Sequence, residues 1–247
     1  MLELDERIAR FMVLLRQRVG LQDEQVYPDK IAVYTGKMWL WIYAPTAARQ
    51  ADHSTVPTIH LDVDLLGSSA VKIINRLRGM HGLGERIYAR ETVVARLDKN
   101  VTMDFLDAHH LQGAMPGKYR YGLFADGELV SIAVFSGARI LRNLGPAHRS
   151  FELIRFCHKN DTLVIGGISK LLNAFIKDFA PQDIMTYADR DWCKDSSLEA
   201  IGFHVVGEIG PQQFAVYQGE RFALSRAPAI VDYYVSNKGS LKLKRLL

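Results

Sequence analysis

The segment from Phe151 to Trp192 constrains the fold more than any other stretch, because it predicts a strand, a glycine turn, a helix and a second strand in succession. Residues 151–157 alternate apolar and polar side chains, which is typical of a half-buried strand. From Ile168 onward the apolar residues recur at helical spacing until Pro181 ends the helix. Residues 183–189 form the next predicted strand. The rest of the chain is interpreted around this unit.

Two adjacent glycines, Gly166 and Gly167, stand at the predicted start of the central helix. Glycines at this position let the backbone approach a ligand closely, and several N–H groups then aim at one point. The helix dipole adds partial positive charge there, so an anion such as a pyrophosphate is the expected ligand. The alternative is that the pair only makes a tight turn from strand to helix. The segment by itself leaves both interpretations open.

Three charged residues, Asp189, Arg190 and Asp191, stand at the end of the strand after this helix. In open α/β sheets this is where ligands bind, and grouped charges are expensive to desolvate. The alternative is a local Asp–Arg salt bridge that caps the next turn.

Composition sets the outer limits of function. The chain has 247 residues, 48% of them hydrophobic, a formal charge of +4 and an isoelectric point near 9.0. This mild basicity permits an anionic partner without requiring one. The two cysteines, Cys157 and Cys193, make no disulfide framework and no paired metal motif, so no metal is expected. No apolar run reaches membrane-spanning length and the first residues are amphipathic, which predicts a cytoplasmic protein with no membrane partner. The oligomeric state stays open.

The first third of the chain predicts a small α/β domain over residues 1–84. Its predicted elements are a helix over 4–19, a hairpin of strands 30–35 and 38–43, a strand over 58–64 and a helix over 68–80. A glycine-rich break at 79–84 places the domain boundary. A second domain is therefore expected over 85–247.

The second domain has further predicted elements on both sides of the central unit. They are a strand over 87–97, a helix over 101–110 capped by Asn100 or Thr102, a hairpin of strands 119–125 and 129–136, a helix over 196–201, strands 204–209 and 214–218, and a hairpin around 237–239 with a basic C-terminal tail of Lys238, Lys242, Lys244 and Arg245.

This order of elements, with Val164-Ile-Gly-Gly-Ile-Ser-Lys-Leu-Leu172 and Ser197-Leu-Glu-Ala-Ile-Gly-Phe203, resembles the GNAT family of acyl-CoA N-acyltransferases over about residues 86–220. The resemblance implies an α/β (α+β) fold with a mixed, mostly antiparallel central sheet flanked by helices. It also implies acetyl-CoA or another acyl-CoA as donor, with its thioester arm between two splayed strands. The loop expected to hold the pyrophosphate consists of Ile165, Gly166, Gly167, Ile168, Ser169 and Lys170. Leu163 and Ile168 replace the family's Arg/Gln and second glycine, and Leu198 stands where many members have a tyrosine acid.

Several phrases also resemble a domain of phage and mobile-element proteins, including putative homing endonucleases, where it follows a nuclease domain similar to very-short-patch-repair enzymes. They include Phe105-Leu-Asp-Ala-His-His-Leu-Gln-Gly113 and Tyr187-Ala-Asp-Arg-Asp-Trp192. This resemblance implies that residues 1–84, which keep Ile59-His-Leu-Asp-Val-Asp64, are a reduced nuclease-like remnant, and the lack of a metal-binding acid set upstream predicts that it is inactive. Asp62 and Asp64 could bind a cation there, although a solvated strand face is the favoured interpretation.

The second domain also resembles the Mom family of phage DNA-modifying enzymes, a GNAT-like group that alters adenine. The residues that match its motifs are His110, Glu152, Arg155, Tyr187 and Asp189, while Leu111 replaces a tyrosine. The resemblance implies catalytic roles for these five. His109 and His110 also suit a helix end without any catalytic role, and Cys157 suits a core position.

These observations favour a GNAT-like transferase that modifies a nucleic-acid base amine, on DNA more than RNA. Asp189 or His110 would take the acceptor's proton, and Arg155 would steady carboxylates or a phosphate. A non-catalytic nucleic-acid-binding module and an N-acetyltransferase of a small amine or protein are the alternatives. A gap between strands 151–157 and 184–189 would favour the transferase, and a filled gap the binding module.

Overall fold

The computed structural model describes residues 5–52, 55–145, 147–192 and 198–247. Four α-helices are described: α1 (Glu6–Arg18), α2 (Val63–His81), α3 (Lys99–His109) and α4 (Gly167–Phe179). The strands are β1 (Asp23–Val26), β2 (Lys30–Tyr34), β3 (Trp39–Tyr43), β4 (Thr58–Asp62), β5 (Glu85–Tyr88), β6 (Val93–Arg96), β7 (Tyr119–Ala125), β8 (Glu128–Phe135), β9 (Arg139–Ile140), β10 (Arg149–His158), β11 (Thr162–Ile165), β12 (Asp183–Asp189), β13 (His204–Ile209), β14 (Gln213–Tyr217), β15 (Glu220–Ala223), β16 (Tyr233–Ser236) and β17 (Ser240–Leu246).

The chain forms two compact units. The first contains the described parts of Met1–Leu77, Ala188–Ser196 and Glu208–Leu241, and the second those of Arg78–Tyr187, Ser197–Gly207 and Lys242–Leu247. The chain passes from the first unit to the second between Leu77 and Arg78, shortly before the glycine-rich break at 79–84. Its later return to the first unit has no signal in the sequence, because no composition shift marks it.

The first unit has a four-stranded sheet in the order β1-β2-β3-β4, and a separate three-stranded sheet in the order β15-β14-β16. β2 and β3 form the predicted antiparallel hairpin, and β3 pairs with β4 in parallel. The buried stripe of α1 is the one its spacing predicts, with Phe11 and Leu15 fully buried. β1 and β15 were not predicted from the sequence.

The second unit contains most of a mixed sheet in the order β13-β17-β12-β10-β8-β7-β6, with β9 paired to β10. The pairs from β6 to β10 are antiparallel, and β10 pairs with β12 in parallel. Helix α4 packs its aromatic stripe on the centre of this sheet, where the Phe175 ring stacks on Phe135 at a centroid distance of 3.9 Å. The predicted mixed, mostly antiparallel sheet flanked by helices is confirmed.

Three predictions about elements are wrong. The single strand over 87–97 is two strands in different sheets, because Thr92 Oγ1 donates to Ala89 O at 2.7 Å and closes a turn between them. Helix α3 is capped by Asp98, whose Oδ1 accepts from Val101 N at 2.9 Å, and not by Asn100 or Thr102. Part of the predicted glycine loop is the strand β11, which pairs with β5 in parallel.

The C-terminal prediction is also wrong. β16 and β17 belong to different sheets, so the turn at 237–239 does not join a hairpin. β17 lies inside the large sheet and Leu243 is fully buried. Two of the tail's lysines are engaged, since Lys244 Nζ lies 3.3 Å from Asp183 and Lys238 Nζ pairs with Asp52. The helix predicted at 196–201 begins at residues outside those described, and Glu199–Ile201 is a 3₁₀ turn. Cys193 also lies outside the described residues.

Candidate functional site

The strands β10 and β12 part after a short stretch of pairing. Their parallel ladder runs from Ser150–Asp183 to Glu152–Met185 and goes no further in the part of the chain that the structure describes. Beyond it, β10 continues to His158 on its other neighbour, β8, while Thr186 Oγ1 donates to Leu153 O at 2.8 Å across the apex. The edges that face each other past this point carry backbone N–H and C=O groups that no ladder bond uses. The pairing thus ends where the GNAT resemblance implies a gap between these strands.

A bulge in β10 decides which side chains share a face. Glu152 lies opposite Ser136, because Ser136 N donates to Glu152 O and Glu152 N donates to Ser136 Oγ, both at 2.9 Å. After the register shift, Arg155 lies opposite Val134. Ser136 and Val134 are two apart on β8 and therefore point to one face. Glu152 and Arg155, three apart in sequence, consequently share that face, which an unbulged strand would not allow.

Tyr187 reaches the same face. Met185 is the ladder partner of Glu152, so the two residues lie on one side of the sheet, and Tyr187 follows Met185 by two positions. Tyr187 is 41% exposed. On the opposite face Phe151 packs on Phe175 of α4 at 5.1 Å. The structure thus brings together three of the five predicted catalytic residues.

Arg155 is a half-buried cation fixed by backbone carbonyls. Its Nε donates to Gly113 O at 3.2 Å and its Nη1 to Ile154 O at 2.8 Å. No carboxylate lies within ion-pair distance of it among the described residues. Burial lowers the pKa of Arg155, and the charge of Glu152 partly opposes this. Gly113 belongs to the loop after α3, so this loop borders the face that carries Glu152.

His110 and Asp189 have local bonds of their own. His110 ends α3, and its Nδ1 accepts from Gln112 N at 3.0 Å. Asp189 belongs to the first unit, where its Oδ1 accepts from Asp191 N at 2.9 Å and closes a turn. The alternative prediction of a local salt bridge between Arg190 and a neighbouring Asp is wrong, because Arg190 pairs with Glu208 at 3.1 Å.

The glycine pair has a structural reason at both positions. Gly166 is the N-cap of α4 at φ +77°, which L side chains rarely adopt. A Cβ on Gly167 would lie 3.1 Å from Val164 Cβ. No side chain caps the helix at Gly166, and the first N–H groups of a helix have no intrahelical partner. The turn interpretation and the anion-site interpretation are therefore compatible.

Of two other residues in the predicted loop, one is exposed and the other is held by hydrogen bonds. Ile165, the last residue of β11, is 38% exposed. Lys170 is engaged, because its Nζ donates to Ala89 O at 2.6 Å and also to Thr92 O. Its ammonium ties the first turn of α4 to the 3₁₀ turn Ala89–Glu91.

His158, at the end of β10, has a role that sequence reasoning missed. Ser131 Oγ donates to Cys157 O at 3.1 Å, so it accepts from His158 Nδ1 at 3.0 Å. Burial lowers the pKa of His158 to about 4, and the imidazole is neutral at physiological pH. The only hint in the sequence was a histidine on a strand that alternates apolar and polar residues.

A pH titration of stability checks this assignment. The folded pKa of His158 lies below the unfolded value of 6.5, so its contribution is complete above pH 6.5 and is lost as pH falls toward 4. The shift corresponds to about 3 kcal/mol of unfolding free energy. We expect the wild type to lose most of this, about 2.5 kcal/mol more than His158→Asn, between pH 7.5 and 4.5 in urea unfolding. Equal losses in the two proteins would contradict a neutral, partly buried imidazole at His158.

The acidic residues at the end of β4 are not a solvated face, which corrects the prediction for Asp62 and Asp64. They are 5% and 2% exposed, and Asp64 lies in the first turn of α2 and does not extend the strand. Arg221 binds Asp64 through Nε at 2.8 Å and Nη2 at 2.9 Å, and its Nη2 also binds Asp62 at 2.8 Å. Arg49 bridges Asp62 and Asp191 at 2.8 and 3.2 Å. Within the described ranges, no group of three or more His, Cys, Asp or Glu residues is placed to hold a metal ion.

A second buried network lies in the same unit. The neutral ring of His60 has one N–H, which faces the Asp52 carboxylate, so its Nδ1 accepts from Tyr43 Oη at 2.7 Å, and that hydroxyl accepts from Gln50 N. His60 Nε2 then donates to Asp52 at 2.8 Å. Burial lowers the pKa of His60 to about 4. Both ring nitrogens of His60 and the hydroxyl of Tyr43 have partners in this network, which is typical of a structural core network.

Comparison with known proteins gave structural likenesses only. No family model matches the chain, and no curated protein matches it. A GNAT family acetyltransferase from Elizabethkingia anophelis with acetyl-CoA bound is 9% identical, covering 64% of this chain and 99% of its own, with a TM-score of 0.37. The Bacillus subtilis acetyltransferase in complex with CoA is 14% identical (63% and 99% covered, TM-score 0.37). The ribosomal-protein-S18-alanine N-acetyltransferase of Escherichia coli is 9% identical (63% and 93% covered, TM-score 0.40). Identities this low say nothing about site residues. No helix in the described residues has the length and apolar character needed to span a membrane.

Proposed function

We propose that the protein is an acyl-CoA-dependent transferase that acylates an exocyclic amine of a nucleic-acid base. The observation that supports this most is the parting of β10 and β12 after Glu152–Met185. A binding module has no need of a gap between two strands of its central sheet, whereas a thioester arm needs such a place.

The residues present fit coenzyme A. The uncapped N–H groups of Gly167, Ile168 and Ser169 suit its pyrophosphate, since the N-terminus of a helix attracts anions. The unpaired edges of β10 and β12 offer hydrogen bonds to the amides of its arm. Lys170 adds positive charge at the first turn of the helix. When bound, the coenzyme would supply an acyl group activated as a thioester.

Glu152 is the best-placed base for the acceptor. The acceptor nitrogen attacks the thioester carbonyl, a C–N bond forms, the C–S bond breaks, and the nitrogen's surplus proton must leave. Glu152 stands at the apex of the gap, and its carboxylate has no hydrogen bond or ion pair among the described residues. We therefore assign the proton to Glu152 in place of Asp189 or His110. Arg155 and Tyr187 share its face and contact the acceptor.

A base amine is the proposed acceptor because cations and a polar face adjoin the gap. An exocyclic amine is a weak nucleophile, so close positioning must assist the base. A duplex target would first have to be flipped out of its stack. Mass spectrometry of nucleosides from DNA and RNA of expressing cells tests the acceptor class. A modified protein or small amine with unmodified nucleosides would favour the N-acetyltransferase alternative.

Coenzyme A is expected to stabilise the folded protein. A ligand at about 100 times its dissociation constant adds about 2.7 kcal/mol to the free energy of unfolding. Thermal unfolding with and without coenzyme A measures this. Pantetheine, which lacks the pyrophosphate, serves as the matched control and should stabilise less, because it leaves the N-terminus of α4 empty. No shift at millimolar coenzyme A would contradict the transferase.

A further inference from the structure

A cavity of about 240 Å³ lies beside the apex of the gap. Residues 136–139, which follow β8, form one wall, and residues 150–152 with Met185 form the other. Glu152 and Met185 are also the last ladder pair before β10 and β12 part. The cavity and the proposed donor gap therefore meet at the same two residues, from opposite ends of the strands.

The cavity is lined by one acidic and one basic residue, Glu152 and Arg139. Glu152 lines the cavity, and its carboxylate has no ion pair among the described residues. Arg139 also lines the cavity, is exposed, and likewise has no ion pair within the described part of the chain. The side chain of Lys118 lies against the same loop, since a Cβ on Gly137 would be 3.2 Å from Lys118 Cδ. A carboxylate and cations around one cavity suit a ligand that carries an amine and an anionic group.

The size of the cavity narrows the ligand further. At about 240 Å³ the cavity is far larger than the space that one water needs. This volume suits one nucleotide base better than a base pair. Such a base would enter unpaired, with its phosphate outside near Arg139.

We propose that this cavity is the acceptor site, that it takes a single unpaired nucleotide, and that Arg139 binds the phosphate of that nucleotide. The base amine then lies beside Glu152, next to the end of the donor gap. This assignment rests on the proposed function and names its substrate class. Arg139 is a specificity residue and takes no part in the bond changes.

Binding measurements with mononucleotides test the proposal without turnover. Calorimetry compares the nucleoside monophosphates AMP, CMP, GMP and UMP with their nucleosides on the wild type, Arg139→Gln and Arg142→Gln. Arg142 is exposed, close in sequence, and does not line the cavity, so its variant is the matched control. We expect at least one amine-bearing monophosphate to bind more tightly than its nucleoside, and Arg139→Gln to weaken it about tenfold or more, as loss of a charged hydrogen bond does. Arg142→Gln should bind like the wild type.

Several outcomes would overturn the proposal. They are monophosphates that bind no better than nucleosides, UMP that binds as well as the best of the others, or equal effects of the two arginine variants. The coenzyme A measurement is separate, so the two ideas can fail independently. A coenzyme shift without nucleotide binding would remove only the acceptor site. Nucleotide binding that depends on Arg139, without a coenzyme shift, would remove only the transferase.

Discussion

Replacing Asp64 by alanine is expected to destabilise the first unit by about 3–5 kcal/mol, the range typical of removing one partner of a buried ion pair. Asp64 receives two bonds from Arg221 and is 2% exposed. Burial alone would lower the pKa of Arg221, but Asp64 and Asp62 outweigh it and raise that pKa. Without Asp64, the buried guanidinium of Arg221 keeps only Asp62 as a carboxylate partner. The burial of this positive charge is then poorly compensated, and the folded state loses stability.

Urea unfolding of the Asp64→Ala protein measures the change, with Glu6→Ala as control. Glu6 also pairs with an arginine, Arg10, but its side chain is 77% exposed, and an exposed pair contributes about 0–1 kcal/mol. Similar losses in the two variants would mean that burial does not strengthen the Asp64–Arg221 pair. The double variant Asp64→Ala, Arg221→Met should recover much of the loss, because it removes the stranded charge.

Local patterns were sufficient to predict the elements near the centre of the second unit. The spacing from Ile168 predicts α4, and its aromatic stripe packs where expected. Asp126-Gly127 predicts the turn between β7 and β8, and both residues have positive φ. These predictions succeed because neighbours in sequence decide them. The GNAT resemblance also predicted that β10 and β12 separate, and no local sequence pattern predicts this.

Long-range pairing explains the predictions that failed. β17 resembles a polar tail in sequence, but its place inside the large sheet depends on partners distant in the chain. Asp62 and Asp64 look like a solvated face because their arginines come from residues 49 and 221. Burial of a charge depends on such partners, so the sequence of β4 could not reveal it.

The common face of Glu152 and Arg155 could not be predicted either. Strand alternation places residues three apart on opposite faces. The bulge between Leu153 and Arg155 reverses that parity, and no glycine or proline marks it. The family resemblance named both residues but not their arrangement. Only the register against β8 shows that they lie on one side of the sheet.

Replacing Glu152 by glutamine is expected to reduce transfer to the acceptor by about 10²- to 10⁴-fold, the usual contribution of a positioned general base. Glutamine keeps the size of the side chain and removes its ability to take a proton. The backbone bonds to Ser136 do not involve the side chain, so the strand and its bulge should persist. Coenzyme A should therefore still stabilise the variant as it does the wild type.

The rate constant at saturating acyl donor and acceptor is the quantity to compare, because a base that acts only on the bound acceptor lowers kcat more than it raises KM. Glu128→Gln is the matched control, since Glu128 is an exposed glutamate that pairs with Lys159 at the start of β8. A wild-type rate in Glu152→Gln would indicate that the general base is His110 or Asp189 instead. The His110→Gln and Asp189→Asn variants would then be tested in the same assay. A lost rate together with a lost coenzyme shift would mean that Glu152 shapes the gap and does not accept the proton.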